Sequence, residues 1–163
     1  MKRILILTTG GTFNKIYDPV AGELVVDGSI RAVEEIAAKW RADFHAMACI
    51  GKDSLEMTDA DREELVSVLR QARTTDIVVI HGTDTMDLSA EAVAQAHLNK
   101  RIVFTGAMVP YAIDPVEASA NLALAIGALQ TLSNNGVYIA MNGVFGNYRQ
   151  VTKDREAGKF VTR

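Results

Sequence analysis

The stretch Asp76-Ile77-Val78-Val79-Ile80-His81-Gly82-Thr83-Asp84-Thr85 decides the fold. Ile77–Ile80 are all β-branched and leave no polar face, so they read as a strand buried on both sides, as in a parallel sheet. Small and polar residues follow at once, and an Ala-rich run over Thr85–Leu98 then reads as a helix. Strand, polar loop and helix form the repeating unit of an α/β sheet.

The same order extends in both directions. Arg3–Thr8, Phe44–Ile50, Arg101–Thr105 and Val137–Met141 are short, Ile- and Val-rich runs bounded by turn residues, and they read as strands. Between them, Arg31–Trp40 sets Val33, Ile36, Ala37 and Trp40 on one helical face. Thr58-Asp59-Ala60-Asp61 resembles a capping box before Leu65, Val66 and Leu69. Asp114-Pro115-Val116-Glu117 combines an N-cap Asp with Pro at the first helical position, and that helix is expected to run to about Leu132. Residues 1–163 therefore predict a single α/β domain. Its sheet is open and mainly parallel, with helices on both faces and the ligand crevice outside the carboxyl ends of the strands.

Composition narrows the function classes. The 163 residues carry 17 Lys plus Arg against 20 Asp plus Glu, a net charge of −3 that disfavours a nucleic-acid partner. An apolar share of 48% is enough for a core and excludes disorder as the main state. The single Cys49 allows no internal disulfide or multi-cysteine metal site, and a reducing cytoplasm is the expected compartment. Met1-Lys2-Arg3 before Ile4–Leu7 imitates a signal peptide, but the apolar run is shorter than the roughly 7–15 residues such a segment needs. Ala118–Leu129 falls short of the ~20 residues of a membrane span.

Chemistry is expected where the strands end. Thr8-Thr9-Gly10-Gly11-Thr12-Phe13 puts two glycines behind the first strand, a turn whose N–H groups would suit an oxyanion and where Thr12 presents a hydroxyl. An ordinary tight turn fits those residues equally well. Gly51-Lys52-Asp53-Ser54 could hold a zwitterion or simply lead into the next helix. In His81–Thr85, Asp84 could bind an ammonium and Thr83 could pass a proton, or Asp84 or Thr85 could be a helix N-cap. His81, His45 and His97 lack zinc-site spacing, and phosphate-loop and serine-elbow motifs are absent. Asn142–Asn147 reads as a loop leading to Val151-Thr152-Lys153. A lone Lys is ordinarily a solvated charge, and Lys153 gains meaning only if it folds back to the Thr-rich loops.

Taken jointly, these motifs resemble the bacterial-type L-asparaginase family. T-G-G-T stands at Thr9–Thr12, H-G-T-D-T at His81–Thr85, and Gly106-Ala107-Met108 with Pro110 and Val151-Thr152-Lys153 follow in the family's order. The resemblance implies hydrolysis of the asparagine side-chain amide, without metal or organic cofactor. Thr12 would be the nucleophile, and Thr83, Lys153 and Asp84 the group that relays its proton. Asp84 would also grip the substrate's α-ammonium, with Gly11, Asp53, Ser54 and Thr83 completing substrate binding. Leu55 stands where some members carry Gln. Tyr17 is the candidate for the family's catalytic tyrosine, although it follows Thr12 by fewer residues than is usual. Family enzymes are usually longer, with a C-terminal domain that supplies a Glu to a neighbour's site; that domain and that Glu have no counterpart in these residues. The resemblance further implies a homo-oligomer, dimer or tetramer, acting on asparagine and possibly glutamine. A glutaminase, another small-amide hydrolase and a catalytically inactive amino-acid-binding domain are the alternatives.

Overall fold

A computed structural model describes residues 3–163; Met1 and Lys2 of the signal-like N-terminus lie outside the described residues. The core is a six-stranded sheet in the order β4-β1-β5-β6-β7-β8, from β1 (Ile4–Gly10), β4 (His45–Lys52), β5 (Asp76–Ile80), β6 (Arg101–Thr105), β7 (Gly136–Met141) and β8 (Val144–Asn147). The first five run parallel and β8 returns antiparallel to β7. Every residue of β5 is buried, as its unbroken β-branched run requires.

Alternate residues of these strands feed two cores. Leu5, Leu7, Ile77, Val79, Ile102 and Phe104 pack with Leu65 and Leu69 of α2 (Asp59–Gln71) and Ala90 and Val93 of α3 (Met86–Gln95). On the opposite face, Ile6, Val78, Ile80 and Val103 meet Val33 and Ile36 of α1 (Arg31–Trp40) and Leu122, Ala125 and Leu129 of α4 (Pro115–Thr131). A period of two in the strands and about 3.6 in the helices makes this division unavoidable. The caps hold as the residues imply. Thr58 and Asp61 form a reciprocal capping box, and the Asp114 carboxylate accepts from the Val116 N–H, with Pro115 at the first turn.

Three expectations are corrected. Residues 144–147 are a strand, not a loop, and Val151–Lys153 lies in β9 (Val151–Asp154), which pairs with β10 (Lys159–Thr162). A further hairpin joins β2 (Lys15–Asp18) and β3 (Glu23–Val26). These strands are four residues long and mostly half-exposed, so they carry no alternation strong enough to read; partners rather than pattern define them. Finally, α3 stops at Gln95 rather than Leu98, because His97 and Asn99 take left-handed backbone. Among the described residues no helix is long and apolar enough to cross a membrane.

Candidate functional site

Strand order locates the crevice. The chain moves from β1 to its neighbour β4, then crosses back to lay β5 on the other side of β1. This reversal is a topological switch point, and the loops after β1 and β5 part there at the carboxyl edge of the sheet. They are Gly10–Thr12 and His81–Thr85.

Glycine lets these loops touch. A Cβ on Gly11, whose φ is +77°, would lie 2.5 Å from the Cα and N of Gly82. One on Gly82 would lie 2.6 Å from the Ser54 Cβ and Oγ, and one on Gly10 would lie 2.5 Å from the Lys52 carbonyl. The ends of β1, β4 and β5 thus converge at a spacing that side chains at these glycines would block. Gly10 and Gly11 are not free oxyanion donors: the Gly11 N–H donates to the Lys52 carbonyl at 3.0 Å and the Gly10 N–H to Thr8 Oγ1 at 3.4 Å. The expected oxyanion role of that turn is therefore corrected, because both groups hold the loop to its neighbours.

Lys153 folds back. The β9–β10 hairpin is seated by buried Val151 and Phe160, and the Phe160 N–H donates to Asn142 Oδ1 at 3.0 Å. Asn142 is itself tied to α4, its N–H to Asn121 Oδ1 at 2.9 Å and its amide nitrogen to Glu117 Oε2 at 3.2 Å. So anchored, Lys153 is 18% exposed and its Nζ donates to Thr83 Oγ1 at 2.8 Å and to Asp84 Oδ1 at 2.9 Å. The Lys153 hydrogen bond leads the causes that hold the Asp84 carboxyl below its ordinary value; burial opposes it and Arg155 adds to it. Thr85 stands at the N-cap position of α3 but makes no side-chain capping bond, since its hydroxyl donates instead to the Ser54 carbonyl at 2.8 Å.

The remaining candidates divide. Asp53 pairs with Lys15 at 2.8 Å and accepts from the Leu55 N–H at 3.1 Å. Burial pulls its carboxyl upward, but the Lys15 and Leu55 hydrogen bonds outweigh that and hold it low, while Asp84 nearby acts the other way. Ser54 is buried against Gly82. Thr12 opens a single 3-10 turn, Thr12–Asn14, half-buried directly behind Gly11. Tyr17 is not gathered in. It lies on β2, 62% exposed, and among the described residues its hydroxyl makes no hydrogen bond. Leu55 is likewise exposed, at 72%.

Sequence reasoning missed Arg155, Lys15, Glu117, Asn121 and Asn142 as parts of this site. Glu117 reads only as a helix start and Asn142 only as a loop residue, and each of the five owes its place to a contact 8 or more residues away in the chain. His81 is placed but not as a base. Its Nδ1–H donates to the Gly82 carbonyl at 2.7 Å, so Nε2 accepts from the Ser89 hydroxyl at 2.7 Å, and Arg62 Nε donates to that same oxygen at 3.3 Å. Burial pushes the ring down to about 4, with the Arg62 charge acting the same way and the Gly82 bond opposing. Among the described residues no group of three or more His, Cys, Asp or Glu could hold a metal ion.

Comparison with known proteins agrees with this architecture. Residues 3–158 match the family described as "Asparaginase, N-terminal". A Haemophilus influenzae protein named "Probable L-asparaginase periplasmic" is 32% identical over 94% of this chain, which spans 46% of that protein. A Methanococcus maripaludis protein named as a component of the glutamyl-tRNA(Gln) amidotransferase is 30% identical over 90% of this chain and 36% of its own. In structure, the thermostable L-asparaginase from Thermococcus kodakarensis superposes over 98% of this chain and 51% of its own, with a TM-score of 0.81 at 24% identity. A probable cytoplasmic L-asparaginase from Campylobacter jejuni covers 99% of this chain and 52% of its own, with a TM-score of 0.75 at 26% identity. The chain thus spans about half the length of these relatives or less. With that family match over nearly its whole length, and the threonine loops meeting at the switch point of the sheet, the chain belongs to the asparaginase family.

Proposed function

We propose that the protein hydrolyses the side-chain amide of L-asparagine to L-aspartate and ammonia, with Thr12 as nucleophile. The observation that carries this is the Lys153–Thr83–Asp84 cluster, at 2.8 and 2.9 Å, in the loop that packs through Gly82 against Gly11, directly before Thr12. A threonine hydroxyl needs such a group to take its proton at neutral pH. In this reading Thr12 Oγ attacks the amide carbon, and its proton passes to the Thr83–Lys153–Asp84 group. The proton returns to the leaving nitrogen, which departs as ammonia. Water then attacks the threonyl ester, releasing aspartate and restoring Thr12. Because Gly10 and Gly11 are spent on Thr8 and Lys52, we assign the oxyanion to the next N–H donors on the two loops, those of Thr12 and Thr83.

Asp84, Asp53 and Ser54 would hold the amino-acid end of the substrate, with Tyr17 able to join only if its hairpin moves inward. Neither metal nor organic cofactor enters these steps. A small-molecule substrate, a homo-oligomer and a cytoplasmic site belong to this proposal; the names of relatives mention both the cytoplasm and the periplasm. A second reading, an amidase for glutamine or another amide, draws on the relatives named for the glutamyl-tRNA(Gln) amidotransferase. Ammonia release from asparagine and glutamine, measured side by side for the parent chain and Thr12→Ala, tests both. Release from asparagine that vanishes in Thr12→Ala with an unchanged melting temperature supports the reading. Activity retained in that variant would sink it.

A further inference from the structure

Arg155 lies two residues beyond Lys153, at the turn between β9 and β10. Lys153 on β9 and Arg155 on the turn that follows it both reach one carboxylate. Arg155 Nη1 donates to Asp84 Oδ1 at 2.9 Å, the oxygen that also receives Lys153, and Nη2 donates to the Asp84 carbonyl at 3.0 Å. The turn is held by bonds of its own: Asp154 Oδ1 accepts from the Glu156 and Ala157 N–H groups at 3.0 and 2.9 Å, and the Gly158 N–H donates to the Asp154 carbonyl at 2.9 Å. The fork therefore sits on a braced hairpin and grips both the side chain and the backbone of Asp84.

The consequence is electrostatic. Lys15, Lys153 and Arg155 stand against Asp53 and Asp84, so the cluster is net positive. An incoming α-ammonium would find the single charge of Asp84 already paired with two cations, Lys153 and the Arg155 guanidinium. A free carboxylate would find the opposite. With Nη1 and Nη2 each making one bond to Asp84, the guanidinium keeps Nε–H and a second hydrogen on each terminal nitrogen, and Arg155 is 64% exposed toward solvent.

We propose that Arg155 is a specificity-determining residue. It shields Asp84 from the substrate's α-ammonium and offers its outer edge to a carboxylate. The site then takes ω-amides of dicarboxylic acids by their free carboxylate, and an ammonium on the α-carbon adds little. This rests on the place given to Asp84 at the amino-acid end of the substrate in the proposed hydrolysis and narrows its role there: Asp84 keeps the proton relay with Lys153 and Thr83, while Arg155 weakens its hold on the α-ammonium.

Aspartate and succinate differ only in the ammonium, and asparagine and succinamate form the matching amide pair. Calorimetric titration of the full chain with aspartate and with succinate should give Kd values within about tenfold of each other. Arg155→Gln should favour aspartate by at least about a further tenfold, while Arg155→Lys, which keeps the charge, should stay near the parent ratio. The KM ratio of asparagine to succinamate should move with the binding ratio while kcat changes less than KM. A parent chain that prefers aspartate by a hundredfold, an unchanged ratio in Arg155→Gln, or no binding of either acid overturns the role of Arg155. Ammonia release from asparagine persisting alongside an unchanged ratio overturns that role alone. A ratio that shifts as expected in a chain releasing no ammonia overturns the hydrolase reading instead.

Discussion

Lowering the pH from neutrality toward 4 should weaken the fold, and one histidine should account for most of the loss. His81 is fully buried, its Nδ1–H is committed to the Gly82 carbonyl, and its Nε2 accepts from Ser89, whose oxygen also takes a hydrogen bond from the Arg62 cation. A second proton would have to sit on Nε2, facing an oxygen that already accepts from a cation. Burial accordingly pushes the ring from 6.5 down to about 4. The unfolded chain protonates His81 near 6.5 and the folded chain does not until about 4, so between those values the unfolded state binds more protons and stability falls with pH. Every pH unit separating the two protonations is worth about 1.4 kcal/mol, so the loss reaches about 3 kcal/mol near pH 4, a large part of the roughly 5–15 kcal/mol a domain usually has. The depressed carboxyls of Asp53, Asp61 and Asp84 act in a separate window: their stabilisation is present above about 3.8 and is lost only below it. Urea midpoints at pH 7.5, 6.0, 5.0 and 4.5 should decline for the parent chain and stay nearly flat for His81→Gln, which keeps polar partners without titrating. The His81 ring titrating near 6.5 by NMR in the folded protein, or an equal decline in the variant, would refute the reasoning.

Glycine substitutions should split by place. Gly11→Ala forces a Cβ to 2.5 Å from the Gly82 backbone at a φ of +77° and should cost at least about 2 kcal/mol in chemical denaturation, with activity lost as the loops part. Gly127→Ala on α4, where nothing lies within 4 Å, should instead stabilise by about 0.5–1 kcal/mol; equal effects at the two sites would contradict the packing described. Lys153→Met, which keeps the stem without the charge, should lower kcat by about 10²–10⁴-fold with little change in melting temperature, and a variant retaining most activity would return Lys153 to a structural role. Burial, and to a lesser degree Glu64, pushes the Cys49 thiol up to about 11, so alkylation at pH 8 should run far slower than for a free thiol, and labelling at the free-thiol rate would contradict that.

Legibility followed locality. The β-branched run Ile77–Ile80, the capping box at Thr58 and Asp61, and the Asp114–Pro115 start depend on neighbours a few residues away, so the amino-acid order alone determined the central strands, the four helices and the α/β class. The paired threonine motifs likewise named Thr12, Thr83 and Asp84 as candidates from the residues alone. Lys153 was legible only through its resemblance to a family motif, because one Lys among surface charges carries no local signature. Its 2.8 Å bond to Thr83 spans 70 residues and exists only because Phe160 and Asn142 seat the hairpin. The Gly11–Gly82 approach, the capture of Asp84 by Arg155 and the exclusion of Tyr17 from the cluster were decided by the tertiary structure for the same reason. A local propensity is written in the residues that express it, whereas a contact between loops depends on the whole strand order that brings their ends together.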